Sequence, residues 1–436
     1  MHITKSYKVK IKQNKNFKKT IQIYSNAVWF ICDVISKEYE DIKSLAYSKE
    51  KYNFIEKLIH TTEKNTAKYK DFDSDFLNFP SYYRRAAIAT ALGKYESWFS
   101  NHKNWESEKQ GKEPKLTTGY TVFPCFYKDN TFKKYDDNIY KVQIKIFINN
   151  SWDFVDIDLK KSDVKYIQRN CFSLKESSPI LQKEGKNYYL RFAYTVETEK
   201  FSKDEDIDKV CSVDLGINNV AVCSVVTKEG TVLGRKFIKC PREEDSLCHK
   251  LNQVKRNQKM GSRGNKTLWA RINNLNERMS IYASGEIVNF AKEMGCKAIV
   301  FEYLNTKGKK RGSKKQRITL WRKRDIQKRV ELNAHVYGIR VNRICAFNTS
   351  RLAFDGSGEV TRSKDNFSIC TFTNGKVYNC DLSASYNIGA RYFIRNIQKT
   401  TSEKKWLQLV AKVPSVCKRS TCTLSSLQEL NKALAA

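Results

Sequence analysis

The chain has 436 residues, with 80 Lys plus Arg against 46 Asp plus Glu, so its formal net charge is +34. This length is enough for two or three domains. An ordinary metabolic enzyme needs no such excess of positive charge, and nucleic acid is the simplest partner. No apolar run approaches the ~18 residues of a membrane-spanning helix, and the N-terminus lacks the apolar core of a signal peptide. No membrane partner is therefore expected. The 13 cysteines are scattered and odd in number, which favours reduced thiols in the cytoplasm.

The N-terminal half predicts a strand, a group of helices and a β module. Apolar residues alternate over 1–14, which indicates a strand, and they recur every three or four positions in parts of 15–117, which indicates helices. One of these helices is expected to begin at Pro80, with Ser81 as its N-cap. Over 118–204 the apolar period changes to two, so we predict an antiparallel β module that the first strand completes.

The remainder of the chain predicts an α/β domain on a mixed sheet, because strands alternate there with long helices. The expected elements, in chain order, are strands at 210–226 and 231–239, basic helices at 245–295, a strand at 297–303, a helix at 318–336 and a strand at 339–346. A last long helix is expected to begin near Asp381. The segment 399–436 shows a short helical pattern without a functional signal.

Three carboxylates stand where these predicted elements begin or end. Asp214 and Glu302 lie on or at the end of short β-branched runs, and Asp381 opens a helical stretch. Strand ends in a sheet with crossover connections meet at one edge, so acids distant in sequence can come together there. Three adjacent carboxylates repel unless cations neutralise them, and their oxygens suit Mg²⁺ or Mn²⁺. Two such ions ~4 Å apart can activate water for attack on a phosphodiester, so the acids predict nucleic-acid hydrolysis.

The acids lie in three motifs that resemble those of the RuvC-type nuclease domain of the TnpB family. These proteins are transposon-encoded, RNA-guided DNA nucleases related to the miniature type V CRISPR effectors. The motifs are Asp-Leu-Gly-Ile-Asn-Asn at 214–219, Val-Phe-Glu-Tyr-Leu at 300–304 and Asp-Leu-Ser-Ala-Ser-Tyr-Asn-Ile at 381–388. Each motif alone is weak evidence, but their order, with basic helices between the first two, is specific. An Asp-Asp-Glu order would instead indicate a cut-and-paste transposase.

The resemblance implies a multidomain fold of α/β plus α+β type. It implies a RuvC/RNase H-like nuclease domain with Asp214, Glu302 and Asp381 as catalytic metal ligands, which Asn218 and Asn387 are expected to orient. The expected domains are an N-terminal β-barrel (the wedge) at 1–14 and 118–204, a helical recognition domain at 15–117, the nuclease domain at 205–398 and a tail at 399–436.

The chain departs from the family in the zinc ribbon, which the resemblance places at 347–379. Where the family has two Cys-x-x-Cys pairs, this chain has Ala353-Phe-Asp-Gly356 and Cys370-Thr-Phe-Thr373, so one thiolate of four remains. A tetrahedral Zn²⁺ site needs all its ligands. We therefore expect a degenerate ribbon that holds its shape without structural zinc.

The third motif also departs from the family, with Ser383 in place of Asn and Ser385 in place of Ala. Asp381 itself is retained, at a helix N-terminus that favours its ionised form. The substitutions are therefore expected to affect the fine geometry of the site more than its existence.

Clusters of Lys and Arg provide candidate nucleic-acid contacts. One tract follows Glu302, one lies in the helices between the first two motifs, and one pair of arginines lies among tyrosines in the N-terminal half, where stacking and phosphate pairing can combine. A single short basic run is more often a solvated surface, but the charge of +34 favours binding. The candidates are Arg84, Arg85, Lys255, Arg256, Lys309, Lys310, Arg311, Lys314, Lys315, Arg317, Arg322 and Arg324.

Together these features predict an RNA-guided DNA endonuclease that cleaves phosphodiester bonds by a two-metal mechanism in the bacterial cytoplasm. A guide RNA would select target double-stranded DNA by base pairing, with the protein acting as a monomer or as a homodimer on one RNA. Two alternatives remain open. The chain could be a guided DNA-binding protein without cleavage, or an unguided structure-specific nuclease or transposition factor.

Overall fold

The structure is a computed structural model that describes residues 2–109, 111–216, 219–262, 264–304, 322–363, 366 and 368–435. Contacts divide the chain into two compact units, with the division between Val196 and Glu197. This division lies a few residues before the predicted boundary at 204. None of the helices in the described ranges is long and apolar enough to cross a membrane.

The N-terminal unit contains seven strands in two sheets. In one sheet, β1 and β5 flank β7, and β6 also pairs with β7; the other sheet has the order β2-β3-β4. The described pairings of β2 to β7 are antiparallel, in agreement with the period-two pattern. The first strand joins a sheet of this unit, as predicted. The strands are β1 His2–Ile11, β2 Phe132–Lys134, β3 Lys141–Ile148, β4 Ser151–Asp158, β5 Lys175–Glu176, β6 Ile180–Glu184 and β7 Asn187–Glu197.

The helices of this unit lie mostly between β1 and β2. Helices α1 and α5 pack against each other, and their apolar faces join those of the strands in one core. Ser81 is the first residue of α5, whose N-cap is Pro80 without a side-chain hydrogen bond, so the prediction of Ser81 as the cap was wrong. The helices are α1 Phe17–Lys37, α2 Tyr39–Ser44, α3 Ser48–Ile59, α4 Asp71–Asp75, α5 Ser81–Glu108 and α6 Lys161–Cys171.

The C-terminal unit is built on a five-stranded mixed sheet. Its strands are β8 Lys209–Asp214, β9 Ala221–Thr227, β10 Val232–Ile238, β11 Ala298–Tyr303 and β12 Arg340–Cys345. The order is β10-β9-β8-β11-β12, in which β8, β9 and β10 are antiparallel while β11 is parallel to both β8 and β12.

The single strand predicted at 210–226 was wrong, because the chain reverses within it to form β8 and β9. A Cβ atom on Gly216 would lie 2.7 Å from the carbonyl oxygen of Asn219. Only glycine permits such a close backbone approach. The apolar run on both sides of this turn concealed the reversal, since both strands are buried on both faces.

Helices cover both faces of this sheet. Helices α8 and α9 pack with Val213 and Phe301 on one face, and α10 packs with Val210 and Val300 on the other. Helix α12 joins the α10 side through Leu427, so the segment 399–436 forms part of the core of this unit. The helices are α7 Pro241–Lys259, α8 Lys266–Glu293, α9 Lys323–Val336, α10 Cys380–Thr400, α11 Glu403–Lys412 and α12 Leu424–Ala435.

A small antiparallel sheet lies between β12 and α10, at the position predicted for the ribbon. Its strands are β13 Thr361–Arg362, β14 Ile369–Thr371 and β15 Val377–Asn379. Beside it, an apolar cluster contains Ala353, Cys370, Phe372 and Cys380, and the Phe354 ring lies 5.6 Å from that of Phe372. Apolar packing therefore occupies the place where the resembled family has its cysteine pairs.

Candidate active site

Strands β8 and β11 bring Asp214 and Glu302 side by side. The last paired residues of these parallel strands are Val213 and Phe301, so Asp214 and Glu302 are the next position on each strand. Side chains alternate between the faces of a sheet. Because Val213 and Phe301 pack toward α8 and α9, the two carboxylates belong to the opposite face, which α10 covers.

Helix α10 places Asp381 on that same face. Its first turn is capped by Asn379, whose side-chain oxygen accepts a hydrogen bond from the Leu382 backbone N–H at 3.0 Å. A Cβ atom on Gly389 would lie 2.7 Å from Cγ2 of Val226 on β9. The missing side chain of Gly389 thus allows the helix to lie close to the sheet.

The three carboxylates interact electrostatically. Burial raises the pKa of Asp214 well above its usual range, the negative charges of Glu302 and Asp381 raise it further, and the positive charge of Arg362 opposes them. Arg362 lies on β13, so the small sheet contributes a cation beside the acids. In the described ranges, no three His, Cys, Asp or Glu side chains are arranged as they stand to hold a metal ion. The three carboxylates are therefore neighbours, but in this arrangement they do not together form a metal-binding site.

Glu302 is buried and is held by a hydrogen bond from Thr349. The Thr349 hydroxyl donates to Oε1 of the Glu302 carboxylate. Burial raises the pKa of Glu302, while this hydrogen bond and the charges of Arg391 and Lys323 lower it. The carbonyl oxygen of Glu302 accepts a hydrogen bond from Nε2 of Gln327 at 3.0 Å, which anchors the end of β11 to α9.

Asp381 is oriented by Asn219, whose Nδ2 donates to the Asp381 carboxylate at 2.8 Å. Asn218, the residue predicted for such a role, lies outside the described residues. Asn387 acts less directly than predicted, because its Nδ2 donates to the carbonyl oxygens of Thr349 and Leu352, both at 3.0 Å. It therefore supports Glu302 through Thr349.

The two serines that distinguish the third motif occupy different environments. The Ser385 hydroxyl pairs with that of Ser224 on β9 and donates to the Leu382 carbonyl oxygen at 2.8 Å. The Ser383 hydroxyl is buried and has no hydrogen-bond partner among the described residues. Ser385 thus ties α10 to the sheet, whereas nothing in the structure explains Ser383.

The two predicted arginines of α5 differ in exposure. Arg84 is 7% exposed, its Nε donates to Glu56 at 3.0 Å, and its Nη1 donates to the carbonyl oxygen of Phe79. The prediction of a phosphate contact for Arg84 therefore does not hold, because its guanidinium is bound inside the unit. The side chain of Arg85 lies 3.8 Å from Glu56 but is 55% exposed, so it remains a candidate.

The remaining predicted cations lie in the C-terminal unit. Lys255 and Arg256 are exposed on α7, and Arg324 is exposed on α9. Arg322 is half-buried, 3.9 Å from Asp325. Six further candidates lie outside the described residues, namely Lys309, Lys310, Arg311, Lys314, Lys315 and Arg317.

One cysteine of the ribbon region, Cys370, lies close to Cys380 at the start of α10. Cys370 and Cys380 share one apolar cluster, and the Cys370 thiol donates to the carbonyl oxygen of Tyr378 at 3.5 Å. Burial and the neighbouring Cys370 raise the pKa of Cys380 to about 12. The apolar surroundings thus favour the neutral form of both thiols.

Sequence reasoning missed Thr349, Asn219 and Arg362 as neighbours of the acids. Asn219 is the last residue of the first motif and follows Asn218, the residue that was predicted for this role. Thr349 and Arg362 lie outside the three motifs, and only the folded loop after β12 and the small sheet bring them to the site.

Comparison with known proteins gives a family model, a curated relative and several solved structures that are similar to this chain. The Aq_aa04 family matches residues 4–148. The TnpB-like protein aq_aa05 of Aquifex aeolicus (strain VF5) is 28% identical over 235 residues, which are 48% of this chain and 76% of that protein.

The structure of the mini RNA-guided endonuclease CRISPR-Cas phi3 matches over 90% of this chain and 92% of its own chain. The TM-score is 0.51 at 12% identity, so the two proteins share the fold. A Cas12f1–sgRNA–target DNA complex matches over 89% of this chain and 99% of its own, with a TM-score of 0.35 at 15% identity.

Proposed function

We propose that the chain is an RNA-guided DNA endonuclease. The proposal starts from the resemblance to the TnpB family, which the Aquifex relative confirms. Asp214, Glu302 and Asp381 would be the catalytic carboxylates of the chain. The observation that carries this proposal is the position of Asp214 and Glu302 at adjacent strand ends, on the face where α10 begins with Asp381.

The topology of the C-terminal unit supports the nuclease part of the proposal. Three antiparallel strands are followed by two parallel ones, with helices on both faces, as expected for a RuvC/RNase H-like domain. We interpret the two sheets of the N-terminal unit as the wedge barrel and its helices between β1 and β2 as the recognition lobe.

The residues of the site fit Mg²⁺ or Mn²⁺. Asp214, Glu302 and Asp381 supply the hard oxygen donors that these ions bind. The like charges of Glu302 and Asp381 disfavour ionisation of Asp214, and a divalent cation would remove this repulsion. When bound, two such ions supply activation of water and stabilisation of the leaving oxygen of a phosphodiester.

The chain's own residues would orient these carboxylates and the substrate. Thr349 fixes the Glu302 carboxylate and Asn219 fixes that of Asp381. Arg362, whose charge acts on Asp214, is exposed and would pair with the phosphate that enters the site. The amide of Asn387 would keep Thr349 in place.

Guide RNA and target DNA are the partners that we propose. The net charge of +34 favours polyanions, and the exposed Arg85, Lys255, Arg256 and Arg324 are available for phosphates. A monomer or a homodimer on one RNA is compatible with this function, as is a cytoplasmic location.

The test begins with purification of the protein from its native locus and sequencing of the RNA that comes with it. The complex is then given DNA that matches the variable end of that RNA, with Mg²⁺ present. We expect cleavage by the wild type and none by Asp214→Ala or Glu302→Ala, although both variants retain the RNA. Cutting by either variant would contradict the proposed site.

The same experiment separates the two alternatives. Guided DNA binding by the wild type, without cleavage in Mg²⁺ or Mn²⁺, would identify a binding protein with a silent nuclease domain. A random mixture of RNA that washes off in high salt, together with metal-dependent cutting, would identify an unguided nuclease.

A further inference from the structure

A cleft of about 170 Å³ in the C-terminal unit is rich in arginine. It lies between β12, α10 and the segment that joins α11 to α12. Four of its eleven lining residues are arginines and, among these described residues, none is Asp or Glu. We call it the arginine cleft and define it by Arg343, Arg391, Arg395 and Arg419.

Arg391 places a buried positive charge at the wall of the cleft. It is 4% exposed, and among the described residues its guanidinium donates to four carbonyl oxygens. The acceptors are those of Cys422 (Nε, 3.0 Å), Cys345 and Phe347 (both Nη1, 2.8 Å) and Ser420 (Nη2, 3.0 Å). Carbonyl oxygens satisfy its donors without neutralising its charge, and buried charges are usually paired. That charge acts on Glu302, whose pKa it lowers, so Arg391 contributes to the cleft as part of its wall.

Arg395 and Arg419 leave donors available to a ligand. Nη1 of Arg395 donates to the Arg343 carbonyl oxygen at 3.2 Å, and its Nε is buried without a hydrogen-bond partner in the described part of the chain, so its Nη2 is the donor left for a ligand. Arg419 is exposed, and no described residue forms an ion pair with it. The Arg343 guanidinium is bound to Glu331 of α9 at 2.8 Å, and the charge of Arg391 acts on Glu302, so Arg395 and Arg419 are the arginines left to contact a ligand.

We infer that the arginine cleft binds a phosphate group of a nucleic-acid backbone, with Arg395 and Arg419 as its direct contacts. Guanidinium groups match the geometry of phosphate oxygens and form bidentate pairs with them. The volume of about 170 Å³ has room for several water molecules and hence for such an oxyanion. The phosphate chemistry follows from the cleft alone, whereas its assignment to nucleic acid rests on the proposed function.

The cleft is separate from the carboxylates but adjoins their strands. Ile344, which lines the cleft, is paired in register with Glu302 across β11 and β12. A backbone phosphate bound here would thus hold nucleic acid at the β12 edge of the sheet, one strand away from Glu302.

The first measurement is the unfolding temperature of the full chain in sodium phosphate, at an ionic strength held constant with sodium chloride. The variants are Arg395→Gln, Arg419→Gln and the double variant. The control is Lys404→Gln, which removes an exposed charge on α11 outside the cleft. We expect phosphate to raise the unfolding temperature of the wild type and of Lys404→Gln, and to have no such effect on the double variant. An equal response of all these proteins would overturn the inference. If Arg395→Gln does not fold, the exposed Arg419→Gln decides alone.

The second measurement is the affinity for a labelled single-stranded oligonucleotide as a function of salt, without divalent metal. Loss of one phosphate contact should lower the slope of log K against log salt by about 0.7. We expect this change for Arg419→Gln and not for Lys404→Gln. Arg419→Gln could lose the rise in unfolding temperature with phosphate and yet keep the wild-type slope of log K against log salt. That result would overturn the nucleic-acid assignment and indicate that the cleft binds a free phosphate compound.

Both measurements are independent of cleavage. If phosphate does not bind, the proposed nuclease function is not contradicted. If the protein does not cleave DNA, the proposed phosphate site is not contradicted.

Discussion

Thr349 donates a hydrogen bond to the carboxylate of Glu302 and so joins the loop after β12 to the end of β11. The carbonyl oxygen of the same Thr349 accepts from Nδ2 of Asn387 on α10 at 3.0 Å. The second and third motifs are thus connected through a residue that belongs to neither. This connection gives the first prediction.

Replacement of Thr349 by Val should weaken cleavage by 10- to 100-fold, a typical cost for the loss of a hydrogen bond to a metal ligand, which is the role proposed for Glu302. The hydrogen bond lowers the pKa of Glu302, so its removal should raise that pKa. Ionised Glu302 then persists only at higher pH, and the acidic limb of the rate profile should move to higher pH. Single-turnover cleavage rates measured against pH and Mg²⁺ concentration test this.

Thr349→Ser is the matched control, because it retains the hydroxyl. It should keep the pH profile close to that of the wild type. An unchanged profile in Thr349→Val would show that the hydrogen bond does not act on the reaction.

Asn219 provides the second prediction, through its 2.8 Å hydrogen bond to Asp381. Asn219→Ala should reduce the cleavage rate by about 10-fold, at the lower end of the range for such partners. Asn219→Asp should reduce it further, because it places a second negative charge beside Asp381. Guide RNA and DNA affinity, measured separately, should stay unchanged in both variants. Equal rates for the two variants would contradict an electrostatic role.

The three acids could be predicted from the sequence because each lies in a short motif at the boundary of a periodic segment. The alternation of side chains in β8 and β11 even determines which face they share. The neighbours of the acids were harder to predict. Thr349 and Arg362 depend on the path of irregular backbone between β12 and α10, for which sequence periodicity gives no signal.

Two features of the fold escaped prediction for physical reasons. The turn at Gly216 lies between two apolar runs, and strands buried on both faces show no change of period where the chain reverses. Leu427 and Leu430 of α12 have helical spacing in the sequence. Their burial in the core with α10 depends on a tertiary contact that local pattern does not reveal.

Ser224 and Ser385 give the third prediction, since their hydroxyls form a buried pair between β9 and α10. Ser385→Ala restores the residue usual in the resembled family but leaves the Ser224 hydroxyl without its partner. This should lower the free energy of unfolding by about 1–3 kcal/mol. Ser224→Ala in the same background should recover much of the loss, because no orphaned hydroxyl remains. Urea unfolding of the two single variants and the double variant tests this, and additive losses would contradict the pairing.

Gly389 gives the fourth prediction, which concerns the approach of α10 to the sheet. A Cβ atom there would lie 2.7 Å from Cγ2 and 2.8 Å from Cβ of Val226, and 3.1 Å from Oγ of Ser212. Gly389→Ala should therefore lower the free energy of unfolding by about 1–3 kcal/mol, as overpacking does. It should also slow cleavage, because a displaced α10 carries Asp381 with it.

Gly285 is the matched control, since it lies within α8 and a Cβ atom there would meet nothing within 4 Å. Gly285→Ala should raise the free energy of unfolding by roughly 0.5–1 kcal/mol, because alanine loses less backbone freedom in a helix. Thermal unfolding and cleavage rates of the two variants separate helix propensity from packing. If Gly389→Ala were as stable and as active as Gly285→Ala, α10 would not require its close contact with β9 to position Asp381.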